Sequence, residues 1–80
     1  MVPRDEATAF LLAFGRAVRQ CREKLEISQE DLGFEADLDR TYISGIERGV
    51  RNPTLKTIRR IAKALGTRPS RLIGMAEDEG

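Results

Sequence analysis

The 80-residue chain has no histidine, no tryptophan and a single cysteine, Cys21. One thiol cannot build a disulfide framework, and without histidine there is no Cys/His cluster for structural zinc. Such cysteine usage suits a reducing compartment, so the expected location is the cytoplasm. The longest uninterrupted apolar run, Ala9 to Phe14, falls far short of the ~20 residues that span a bilayer, and no cleavable signal pattern opens the chain. No membrane association is expected. Catalysis is not expected either. General acid-base and nucleophilic chemistry need a positioned base beside a nucleophile, or paired carboxylates in a cleft, and neither set is present. A glycine loop of the P-loop or dinucleotide type is also missing, so no cofactor is expected, and the chain leaves no room for a ligand-binding domain.

What is present is charge, unevenly placed. The formal net charge is only +1, yet Arg40 to Arg71 holds nine basic residues and one acid, Glu47, a balance of +8. Met1 to Asp39 stands at −4, and Glu77, Asp78 and Glu79 add −3. Asymmetry of this kind points to a charged partner rather than to a fold. Residues 1–80 are expected to form one domain, near the lower size limit for folding without disulfides, metal or a second copy, so a homodimer is expected.

Apolar residues at Phe10, Phe14, Val18, Cys21 and Leu25 step by four, four, three and four. The spacing predicts a first helix from about Asp5 to Leu25 with one buried stripe. Leu11 and Leu12 widen it, toward either the core or a second subunit. Ser28 ahead of Gln29, Glu30 and Asp31 is a capped helix start with acids at the positive end of the dipole. That second helix is expected to reach about Ala36, with Leu32 buried and Gly33 marking a close helix crossing, since a mid-helix glycine costs ~1 kcal/mol. In the break Asp37-Leu38-Asp39, Asp37 is the residue expected at positive φ, and Leu38 is expected to plug the core. Asp39 then caps a third helix, Arg40 to about Arg48, closed by Gly49.

After a Val50 to Pro53 loop, Thr54 caps a fourth helix with Leu55, Ile58, Ile61, Ala62 and Leu65 expected inside and Gly66 ending it. Lys56, Arg59, Arg60 and Lys63 lie on its outer face, and Arg59, Arg60 and Lys63 read as a solvated face in preference to phosphate contacts. A short fifth helix begins near Pro69 and buries Leu72 and Ile73. The ends, residues 1–5 and 76–80, are expected to fray. No repeat, low-complexity tract or useful strand candidate is found.

Two short helices joined by a tight turn, with small polar side chains exposed near the start of the second, form a helix-turn-helix. Reading base pairs asks for this layout, because the second helix enters the major groove and its first turn reaches the base edges. Arg40 can donate two hydrogen bonds to a guanine edge, Thr41 offers a hydroxyl and a methyl, and Ser44 lies one turn on. Tyr42 either packs on a thymine methyl, bonds a phosphate, or is held locally. Cys21 lies on the buried stripe and reads as core.

The run ISQEDLGFEADLDRTYISGIERGVRNPTLKTIRRIAKALG, with FGRAVRQCREKLE before it, closely resembles the Cro and phage-repressor type of helix-turn-helix, the XRE family. The resemblance covers Phe14 to about Ile73 and rests on SQE, YISGIERG, RNPT and IAKALG. Within the family, LDRTYISGIERG followed by RNP looks most like the controller proteins of restriction-modification systems. The resemblance implies an all-α, five-helix bundle of the lambda-repressor-like type that binds double-stranded DNA. It implies base contact by Arg40, Thr41 and Ser44 with Tyr42 beside them, and a phosphate contact by Gln29, which also braces the third helix. Arg48, Arg51 and Asn52 match positions near phosphates, and Arg22 and Glu47 match a structural ion pair. The sequence departs from the pattern at Gly33, usually alanine, at Asp37, usually glycine or asparagine, and at Arg68, usually a serine or threonine cap.

The expected function is therefore a sequence-specific transcriptional regulator acting as a homodimer on a palindromic operator. The end of the fourth helix and Leu72, Ile73 and Met75 are expected at the dimer contact. The alternatives are an antitoxin-type regulator that also binds a toxin, and a helix-turn-helix interaction module with little DNA contact.

Overall fold

The computed structural model describes residues 6–79. They form five helices: α1 (Glu6–Lys24), α2 (Gln29–Ala36), α3 (Arg40–Glu47), α4 (Leu55–Ala64) and α5 (Pro69–Glu79). The expected caps are in place. Ser28 and Asp31 form a reciprocal capping box at α2, and the side chains of Asp39 and Thr54 accept amides of Thr41 and Thr57 at α3 and α4. At the other end, α2 closes in a Schellman arrangement. Leu38 N donates to Gly33 O at 2.8 Å and Asp37 N to Phe34 O at 3.3 Å, with Asp37 left-handed at φ 57°. Gly49 and Gly66 close α3 and α4 in the same way, while Glu26, at φ 58°, does so after α1.

The core gathers one face of every helix: Phe14 and Val18 from α1, Leu32 from α2, Ile43 and Ile46 from α3, Ile58 and Ile61 from α4, Leu72 and Ala76 from α5. Helix α1 packs against α5 and α3, and α2 against α3 and α4. The buried stripe of α1 is shorter and finer-grained than expected. Phe10 and Leu25 are exposed, because α1 outruns the core at its start and Leu25 falls in the turn after its end. Ala13, Gly15 and Ala17 are buried instead. Leu55 is also a correction, 83% exposed: it occupies the first turn of α4 beyond the core edge, and Pro53 is buried in the loop before it.

Small residues on α1 let α3 approach closely. A Cβ built on Gly15 would stand 2.6 Å from the carbonyl oxygen of Glu47 and closer still to that of Ile46, so the last turn of α3 lies directly on the α1 backbone. Gly33 is likewise in close contact, though with the turn rather than with a crossing helix: a Cβ there would lie 2.5 Å from Leu38 O. At the C-terminus α5 continues to Glu79 instead of fraying from residue 76. Ala76 is buried, and Arg16 of α1 pairs with the Glu79 carboxylate. Residues 1–5 and 80, also expected to fray, lie outside the described residues.

Gly15→Ala is expected to lower unfolding free energy by about 1–2 kcal/mol, because displacing backbone carbonyls outweighs the ~1 kcal/mol gained by replacing a helical glycine. Urea denaturation checks this, and a variant more stable than wild type would show that α1 and α3 have room to separate.

Candidate nucleic-acid interface

Helix α3 is only two turns long, so its geometry is set by what grips it. Ile43 and Ile46, both fully buried, press one face into the core. At the N-terminus the Asp39 carboxylate accepts both the Thr41 amide, at 2.8 Å, and the Thr41 hydroxyl, at 2.7 Å. The hydroxyl bond, then the amide bond and the neighbouring Arg40 charge, hold the Asp39 carboxyl below the usual aspartate range, against a small opposing effect of burial. Asp31 is lowered in the same direction by the amide and hydroxyl of Ser28.

The C-terminus carries the more unusual device. Glu47 is the last residue of α3, where a negative charge opposes the helix dipole, and its side chain is 3% exposed. Arg22 of α1 meets it with two bonds, Nε to Oε2 at 2.7 Å and Nη2 to Oε1 at 3.1 Å. The third guanidinium nitrogen donates to Ile27 O at 2.8 Å. Gln29, first in α2, donates its Nε2 to Glu47 Oε1 at 3.0 Å. The bond to Glu47 raises the Arg22 pKa despite partial burial. One carboxylate thus ties α1, α2 and α3 together. The Arg22 and Glu47 pair is present, and Gln29 braces α3 through it.

The outer row of α3 is partly pre-set. Arg40 and Thr41 are exposed, and Tyr42 and Ser44 half-buried. Arg48 Nε donates to Ser44 Oγ at 3.3 Å. Arg51 lays its stem over Gly45, where a Cβ would come within 2.6 Å of Arg51 Cγ, and its guanidinium carbon stands 5.7 Å from the Tyr42 ring centre. The Arg40 side chain makes no hydrogen bond among the described residues. Asn52 is exposed in the following loop. Arg40, Thr41, Tyr42, Ser44, Arg48 and Arg51 therefore share one element and its exit, while Gln29 is joined to its far end. Leu72 does not belong on a surface: it is fully buried in the chain's own core, so it has nothing to offer a second copy. Ile73 and Met75 are only partly covered.

Two contacts were not read from the sequence. Arg60 of α4, exposed as expected, also bonds the α2–α3 turn, and Gly45 makes room for Arg51; neither leaves a local pattern beyond a glycine between polar positions. Among the described residues no group of His, Cys, Asp and Glu is placed to hold a metal ion, and no helix is long and apolar enough to cross a membrane.

Capped helices α2 and α3, a tight left-handed turn between them and a polar row on the second define a helix-turn-helix protein. The family model for the helix-turn-helix matches residues 18–72. The control protein C.BamHI of Bacillus amyloliquefaciens is 57% identical over 63 residues, which cover 78% of each chain. The crystal structure of the restriction-modification controller protein C.AhdI from Aeromonas hydrophila superposes with a TM-score of 0.76 at 44% identity, over 78% of this chain and 94% of that one. The controller C.Esp1396I, solved as a tetramer with its natural 35 base-pair operator, superposes with a TM-score of 0.78 at 37% identity, over 88% and 92%. The chain belongs to the Cro and phage-repressor type helix-turn-helix family, among the restriction-modification controller proteins.

Glu47→Ala is expected to cost about 3 kcal/mol of stability, the lower end for a broken buried pair because Arg22 keeps a solvent-facing edge. Denaturant titration measures it, and a loss below about 1 kcal/mol would mean that the pair behaves as a surface one. The caps predict a pH dependence as well. With the Asp31 and Asp39 carboxyls lowered in the folded state, the unfolded chain binds more protons below about pH 4. The caps' contribution is complete above the ordinary aspartate pKa and is lost as pH falls through the lowered values. Thermal melts from pH 6 to pH 2.5 should show Asp39→Asn, which caps without titrating, losing less stability than wild type; parallel curves would remove Asp39 as a cause.

Proposed function

We propose that the chain binds duplex DNA sequence-specifically as a homodimer on a roughly palindromic operator and regulates transcription, as the controller of a restriction-modification system in the cytoplasm. The observation that carries this is the α3 row: polar side chains on a helix fixed at both ends and anchored underneath by Ile43 and Ile46. In the major groove Arg40 would donate to a guanine edge, with Thr41 and Ser44 at neighbouring base positions. Thr41 already gives its proton to Asp39, which leaves its lone pairs and methyl for the base. Tyr42 and Arg51, stacked together, would meet the thymine methyl and the phosphate on the same flank. Arg48, Asn52 and Gln29 would grip phosphates, Gln29 through the amide capacity that Glu47 leaves free. Affinity then comes largely from cations on the backbone, and specificity from the first turn of α3.

A two-fold dimer would set two such helices about 34 Å apart, one turn of duplex. Ile73, Met75 and the end of α4 are the proposed contact, with Leu72 behind them. The relatives' names and the operator complex of one of them support this reading.

Selection of binding sites from random duplexes at two salt concentrations tests it. Wild type should yield a two-fold motif, and Arg40→Ala should lose about 1–3 kcal/mol of discrimination at one base position per half-site. Arg48→Ala should weaken all sequences alike. A wild-type protein without a motif, or an Arg40→Ala variant selecting with equal stringency, would overturn the assignment.

A further inference from the structure

Among the basic side chains of α4, Arg60 is the one whose guanidinium is committed to the protein itself. Its Nε donates to Ala36 O at 3.1 Å, and its Nη2 donates to Asp37 O at 2.8 Å and to Asp37 Oδ2 at 3.1 Å. These carbonyls are the last of α2 and the first of the turn, groups that a helix leaves without internal partners. The turn is otherwise held by its two Schellman bonds and by the tight seat of Leu38 O on Gly33. It is also strained, since Asp37 stands at φ 57° where glycine would be easier. Two residues later Asp39 caps α3, so the path of Asp37 and Leu38 sets the angle at which α3 leaves.

We propose that Arg60 is a specificity-positioning residue: by clamping the left-handed turn to α4, it fixes the pitch of α3 against the duplex without touching DNA. The inference rests on the base-reading role proposed for α3. Three features carry it. Arg60 reaches across 23 or 24 residues to the turn and to nothing else. Ile58 and Ile61, on either side of it, are buried in the core, so its base is rigid. Asp37 itself is almost fully exposed, 98% at its side chain, so the two carbonyl bonds rather than the ion pair do the holding. An α3 freed to rock would keep its phosphate grip, which tolerates displacement, and lose alignment at the base edges, which does not.

The test measures specific and non-specific affinity of the full chain against salt, together with the selected motif, for wild type, Arg60→Gln and Arg60→Lys. The expected result is a specific-to-non-specific ratio lowered about tenfold, with the loss spread over all base positions of the half-site. The slope of log affinity against log salt stays unchanged. Arg60→Lys keeps the charge but not the fork, and it decides the matter should Arg60→Gln unfold in circular dichroism. A phosphate-contacting Arg60 would lower both affinities alike and reduce the salt slope by about 1, and a solvated one would change nothing; either result overturns the proposal. Arg40→Ala run in parallel separates the two readings. If it relaxes one base position while the Arg60 variants keep the full motif, only the Arg60 inference falls. If wild type selects no motif, both fall.

Discussion

The Glu47 carboxylate is the contact on which the helix-turn-helix geometry depends. It lies buried at the negative end of α3, the place where a carboxylate is least favoured, and is held there by Arg22 and Gln29. A buried ion pair adds little net stability compared with an apolar pair of the same shape, because desolvation offsets most of the attraction. What this one adds is position. A bidentate guanidinium fixes distance and plane together, and the amide of Gln29 fixes the start of α2 to one of the same two oxygens, Oε1. The close approach at Gly15, where the carbonyls of Ile46 and Glu47 rest on the α1 backbone, brings the end of α3 to the helix that carries Arg22.

The same economy of acids explains how a chain of net charge +1 presents a basic region. Glu47 faces Arg22 and Glu79 faces Arg16, while the carboxylates of Asp31 and Asp39 accept the amides of Ser28 and Thr41. Each of these carboxylates is directed at a partner within the chain. Arg40, Arg48 and Arg51 have no such counter-ion among the described residues, so the field around α3 is set by cations although the totals nearly cancel. Net charge is therefore a poor guide here, and its distribution along the chain a better one.

Much of this is legible in the sequence. The caps Ser28, Asp39 and Thr54, and the stops at Asp37, Gly49 and Gly66, are local features whose chemistry acts within four residues, and each stands where it was expected. The anchors Ile43 and Ile46 follow from helical period. What was misread depends on the size of the core, which no local pattern reports. Phe10, Leu25 and Leu55 keep the apolar rhythm but lie beyond the edge of a small bundle, and Leu72, expected both inside and at a dimer contact, is fully enclosed by the core. The bonds that exposed Arg60 makes to the turn leave no sequence signal, because two of the acceptors are backbone carbonyls far away in the chain. The Arg22 and Glu47 tie was seen only through family resemblance, since 25 residues separate the two.

Rigidity and freedom are divided within α3 in a way that bears on recognition. An eight-residue helix has little stability of its own, so the ties at Glu47, at Asp39 and through the clamped turn, with the two isoleucines beneath, do most to hold it. Above that base, Thr41 is bonded to Asp39, Ser44 to Arg48, and Tyr42 stacked with Arg51, so three of the four proposed reading side chains are oriented in advance. Ordering such groups on contact costs little. Arg40 alone extends without a hydrogen bond, and fixing its long side chain would cost about 1–2 kcal/mol of rotamer freedom. A bidentate guanine contact returns an amount of the same order, whereas a monodentate one or a water-filled gap does not. Were α3 to read bases as proposed, the single unbonded side chain on a pre-set row would be the position where the right base and the wrong one differ most, because only the right base would offset the ordering of the side chain that meets it.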